Sequence, residues 1–131
     1  MGSKSLLSLT SLAKLDPRAV FFDGEMTTNA KLHSEVAMLT IVVKIIVNED
    51  AVAVVKDHMM HLVAETVKED GCIEYRLHQD NDNPEIFFFY ETWSSQEALH
   101  KHLESAHIRA YRAATSGLIT GYSLHKLTRL A

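Results

Sequence analysis

Cysteine is nearly missing from this sequence of 131 residues, with Cys72 its single example, so no internal disulfide, thiolate zinc site or CxxC redox pair is possible. A reducing, cytoplasmic location fits that absence. Glycine and proline are scarce, at five and two, and charged residues make up 23% against 47% apolar. Those values exclude disorder and leave a globular chain able to bury a core. Basic charge is in deficit: 13 lysines and arginines against 17 acids give a net charge of −4. No cationic surplus exists to displace counterions from nucleic acid, which is therefore not an expected partner. Charges interrupt every hydrophobic segment after Lys44, and no stretch reaches the roughly 18 apolar residues of a membrane-spanning helix. The length accommodates one domain of ordinary size.

What is present divides near residue 37. The stretch 1–37 is rich in Ser, Thr and Leu, its four bases and four acids cancel, and its apolar pattern is irregular. Leu6, Leu9, Leu12 and Leu15 recur every third residue with no acid before Asp16, a pattern open to a short amphipathic helix, a transit peptide or a leader ahead of a start at Met38. The expected domain is 38–131.

Within it, 39–47 (LTIVVKIIV) is a β-branched run of strand length, followed by helix-start chemistry at Asn48, Glu49 and Asp50. Val52, Val55, Met59, Leu62 and Thr66 share one side of a helical wheel, predicting a helix over roughly 50–69 that Gly71 stops. The segment 72–78 (CIEYRLH) alternates as a half-buried strand does. Turn formers fill 79–85 (QDNDNPE), and 86–93 (IFFFYETW) completes a hairpin. Ser94 or Ser95 caps a second helix, on which Ala98, Leu99, His102, Ala106, Ala110 and Ala113 lie on one side. A last alternating segment, 122–130, closes the chain.

The order β-α-β-β-α-β predicts an α+β, ferredoxin-like domain with four antiparallel strands and both helices on one face. Strand three is apolar on both faces, with Ile86, Phe88 and Tyr90 opposite Phe87, Phe89 and Trp93. Strand one has Val42 and Ile46 opposite Leu39, Ile41, Val43, Ile45 and Val47. The face that the helices leave bare is thus expected to need a partner, and a second copy packed sheet to sheet supplies one. A homodimer is the expectation.

Three segments resemble the antibiotic biosynthesis monooxygenase family, and within it the small quinol monooxygenase-like proteins. They are MLTIVVKI from Met38, KEDGCIEYRLHQD from Lys68, and FFYETWSSQEALHKHLESAHIRAYRAA from Phe88. The last holds E-x-W at Glu91 and Trp93, E-A-L at Glu97 to Leu99, H-x4-H at His102 and His107, and then Tyr111. Relatives often have proline before the second histidine; Ala106 stands there in this chain, so an unbroken second helix is expected. The resemblance implies a dimeric α+β barrel and a monooxygenase that needs no flavin, metal or haem, oxidising a small quinol or phenolic aromatic with molecular oxygen. Other members cleave haem as substrate, but those carry an asparagine in the first strand, and 42–46 has none. An isomerase or ligand-binding module on the same dimeric scaffold is a further alternative that no sequence feature decides.

Cofactor-free oxygenation demands a substrate that becomes a good electron donor once deprotonated. Moving a proton from a phenol of pKa about 10 to an imidazole of pKa about 6.5 is uphill by roughly 5 kcal/mol, which preorganised donors must offset. Phe87, Phe89, Trp93, Tyr75 and Tyr90 are available as pocket walls, and the resemblance adds Tyr111 as a substrate-binding residue. His102, among Ala98, Leu99 and Ala106, is the first candidate for the base; the alternative is a core histidine bonded to a carbonyl or to Glu91. His107 turns inward only if the helix breaks near Ser105, and otherwise orients or caps. Glu91 is either a pocket acid or the charge partner of Arg109 or Arg112. No metal set is expected: His58 and His61 lack a carboxylate and His61 faces away from the apolar stripe, while His100 and His102 diverge around the helix. Cys72 reads as a small buried hydrophobe.

Overall fold

The computed structural model describes residues 38–131, so the features expected within 1–37 lie outside the described residues. The chain forms β1 (Leu39–Val47), a single 3-10 turn (Glu49–Ala51), α1 (Val52–Thr66), β2 (Cys72–Gln79), β3 (Ile86–Trp93), α2 (Gln96–Leu103), α3 (Ala106–Thr115) and β4 (Ile119–Leu127). The strands make one antiparallel sheet in the order β2-β3-β1-β4. This is the ferredoxin-like arrangement, with its second helical segment divided in two.

Register fixes which side chains meet the helices. Ile41, Val43 and Ile45 of β1 sit opposite Glu91, Phe89 and Phe87 of β3, and all six are buried. Tyr75 of β2 pairs with the same Glu91, and Leu124 and Tyr122 of β4 complete the layer. The five-membered apolar side of β1 therefore faces inward, where α1 covers it with Val55, Met59, Leu62 and Thr66, the stripe expected from the wheel. The start of α1 differs from expectation. Asn48 makes no side-chain cap, and the 3-10 turn at Glu49–Ala51 leads into the helix instead.

The second helix breaks, against expectation. Ser105 takes an extended backbone (φ −70°, ψ 158°), its Oγ accepts from Ile108 N at 3.3 Å, and the same hydroxyl donates to the His102 carbonyl at 2.7 Å. One serine thus ends α2 and begins α3, doing without the proline. The break shifts the helical phase, so Ala106, Ala110 and Ala113 are exposed and Ile108, Tyr111 and Thr115 are buried in their place. β4 also begins earlier than expected, because Gly117 (φ +83°) turns the chain directly after α3 and Ile119 pairs with Val47.

The opposite sheet face carries an apolar cluster interrupted by Lys44, which stands between Val42 and Ile46 and opposite Phe88, with polar flanks. Val42, Ile46, Ile86 and Phe88 are half-buried and Tyr90 is exposed, while Glu74, Arg76 and His78 on β2 and Ser123 and His125 on β4 border them. Among the described residues no helix is long and apolar enough to cross a membrane.

Candidate active site

Three elements separated in sequence meet at one carboxylate. Glu69 lies in the turn that follows α1, a turn made possible by Gly71 at φ +87°. His102 comes from the last turn of α2, and His107 from the first turn of α3. Glu69 Oε2 lies 2.7 Å from His102 Nδ1 and 2.5 Å from His107 Nε2. The helix break is what allows this, since it turns His107 back toward the residue five positions before it. Sequence reasoning misses Glu69: it is separated from His102 by 33 positions and from His107 by 38, and no local pattern marks it.

The His102 ring is 2% exposed and held between aromatic neighbours, with the Trp93 centroid at 4.7 Å and that of Tyr75 at 5.3 Å. Burial lowers its pKa, and the hydrogen bond and charge of Glu69 oppose that shift without overcoming it. The Glu69 carboxyl is driven the other way by burial, but its bonds to His102 and His107 prevail and hold it below the usual carboxylate range. The pair is therefore a neutral imidazole bonded to a carboxylate rather than an ion pair. An ionised carboxylate only accepts hydrogen bonds, so the His102 proton sits on Nδ1 and the lone pair on Nε2. Among the described residues Nε2 has no protein partner.

His102 forms part of the wall of a cavity between the sheet and the helices, together with Tyr75, Phe89, Glu91, Tyr111 and Arg112. Its volume is about 40 Å³, room for water but below the ~300–1,000 Å³ of typical ligand pockets. Of the groups in this wall, the buried Tyr111 hydroxyl and Arg112 Nη2 make no hydrogen bond among the described residues. Burial raises the Tyr111 pKa, so the hydroxyl keeps its proton at neutral pH. Tyr75 is raised by burial and, after that, by the charge of Glu91.

The remaining candidates divide. Glu91 is buried and accepts from Trp93 Nε1 at 2.9 Å, while Arg109 donates to the Glu104 carbonyl rather than to Glu91. Trp93 abuts His102, and Phe87 lies deeper on the same sheet face. Tyr90 projects from the opposite face and does not reach this cavity. His58 and His61 are exposed, and His100 pairs with Glu104 at the surface. Cys72 is half-buried, and burial followed by the charges of Glu69 and Glu91 pushes its thiol up to about 11, which makes it a poor nucleophile. Glu69, His102 and His107 also offer three ligand atoms within 4.8 Å of one another, a set that could hold a metal ion.

The sequence profile of the antibiotic biosynthesis monooxygenase family matches residues 38–114, more than half of the chain. The chain belongs to this family. A Mycobacterium tuberculosis protein named as a candidate monooxygenase is 29% identical over 82 residues, which cover 63% of this chain and 80% of that protein. A solved Pseudomonas aeruginosa structure superimposes with a TM-score of 0.69 at 28% identity, covering 72% of this chain and 95% of the other. A conserved protein of Methanosarcina mazei gives a TM-score of 0.67 at 26% identity, covering 76% and 99%. All of the described triad, from Glu69 to His107, falls within the family match.

Proposed function

We propose that this chain oxidises a small quinol or related phenolic aromatic with molecular oxygen, without a cofactor, as a homodimer. The observation that carries the reading is the Glu69–His102 pair at the wall of a sheltered, aromatic-lined cavity. A substrate hydroxyl placed at His102 Nε2 gives up its proton there, and Glu69 stabilises the imidazolium that forms, as an orienting carboxylate does for other catalytic histidines. The resulting anion can pass an electron to dioxygen held beside the ring.

The energetics are feasible with the groups at hand. Deprotonating a phenol of pKa about 10 by an imidazole at or below about 6.5 costs roughly 5 kcal/mol. The free donors Tyr111 Oη and Arg112 Nη2 can each add a charge-assisted hydrogen bond to the anion, worth about 1.5–3 kcal/mol apiece. Together they offset most of the cost. Admission of a ring requires the wall to part, and Arg112, long and only half-buried, is its most movable member.

Oxygen consumption with a reduced naphthoquinone is the test. Uptake above the buffer blank, abolished by His102→Ala, is expected. Uptake no faster than the blank across a panel of quinols, or uptake indifferent to His102→Ala, contradicts the reading.

A further inference from the structure

The carboxylate with two imidazoles has a second chemical capability. We propose that Glu69, His102 and His107 form a binding site for a first-row divalent cation such as zinc, and that the bound ion switches off the base. The second half rests on the function proposed above. Two imidazole nitrogens and one carboxylate oxygen make a three-ligand set with positions left open for water, a composition that zinc and its neighbours accept. It is assembled from three separate elements, and the chain's more obvious candidate, the exposed His58–His61 pair, has no part in it.

Bond lengths of about 2.0–2.2 Å place ligand atoms about 3.3 Å apart around a tetrahedral ion. Here the carboxylate oxygen stands 2.7 and 2.5 Å from the two nitrogens, and all three atoms fall within 4.8 Å. The oxygen must therefore withdraw by under an ångström and the nitrogens draw together. Glu69 and His107 can adjust, being 16% and 21% exposed, the first in a turn and the second directly after the Ser105 break. His102, at 2%, is the fixed ligand.

The consequence for catalysis follows from the tautomer. Coordination uses the lone pair of His102 Nδ1, so the proton now on Nδ1 must move to Nε2. Nε2, the ring nitrogen that Glu69 leaves free, then carries a hydrogen and can no longer accept one. No proton is gained or lost by the ring, but the base is gone.

The full chain, stripped with a chelator, is titrated with zinc by calorimetry and with cobalt(II) by visible absorption and proton NMR. One ion per chain is expected, with hyperfine-shifted ring signals from two histidines. Glu69→Gln and His107→Ala should each weaken binding by more than about tenfold, and His61→Ala should leave it unchanged. Binding that survives both triad variants, or that disappears with His61→Ala, overturns the site. If a triad variant folds poorly, the cobalt spectra of the unaltered chain decide, and the absence of two shifted histidines overturns the site as well. One equivalent of zinc should reduce quinol-dependent oxygen uptake to the blank, and chelation should restore it. Full uptake with the ion bound overturns the switching. No uptake by the metal-free chain counts against the proposed function instead, because the titration reads binding without turnover.

Discussion

Tyr111 illustrates how a single atom can separate a binding role from a structural one. Its ring is part of the core, yet its hydroxyl is buried without a hydrogen-bond partner among the described residues, an arrangement that costs stability. Tyr111→Phe removes that orphan and keeps the ring. Thermal stability should hold or rise slightly, while kcat/KM for quinol oxidation should fall about 10- to 100-fold through loss of one charge-assisted bond. Melting curves and steady-state kinetics on the same preparation check this, and a parallel loss of stability and activity would assign the hydroxyl to packing. Residues of this kind are only half legible in sequence. The family-like segment singles out Tyr111 after His102 and His107, but the missing partner is a property of the packed interior.

Among the elements, the connection from α1 to β2 controls the site most closely. Gly71 holds φ +87°, and a Cβ there would lie 2.5 Å from the Cβ of Ala98. Gly71→Ala thus meets both backbone strain and a clash with α2, and should cost more than about 1 kcal/mol. Because Glu69 is two residues upstream, activity should fall further than stability alone explains; urea unfolding compared with turnover at full folding measures the difference. This element also shows where sequence reading works and where it stops. The glycine after a helical stripe is visible as a stop signal, and β1 and β3 are bounded correctly by their apolar runs. What a stop signal omits is the direction in which the chain leaves, and so which carboxylate arrives beside α2. The break at Ser105 was obscured for a related reason: serine is a weaker marker than proline, and alanines at 106, 110 and 113 extend the helical pattern straight through it.

For the molecule as a whole, the unused face of the sheet carries the prediction of a dimer. Its half-buried Val42, Ile46, Ile86 and Phe88, with Lys44 among them and polar residues at the border, form a mixed surface that a second copy can cover. Sedimentation should find two chains together, and Phe88→Glu should yield folded single chains. A parent protein that sediments as a stable monomer contradicts this part of the account. The cavity itself lies on the other face, between the sheet and the chain's own helices, so the proposed catalysis and the proposed self-association fall on opposite sides of one sheet. The central claim is that Glu69 holds the proton on His102 Nδ1 and leaves Nε2 free to accept one. Long-range ¹H–¹⁵N correlation spectra of the histidine rings at neutral pH, with His102 assigned by its loss in His102→Ala, read this directly. A protonated Nδ1 and a bare Nε2, with the preference lost in Glu69→Ala, are the result expected; a His102 that carries its proton on Nε2 in the unaltered protein would contradict it.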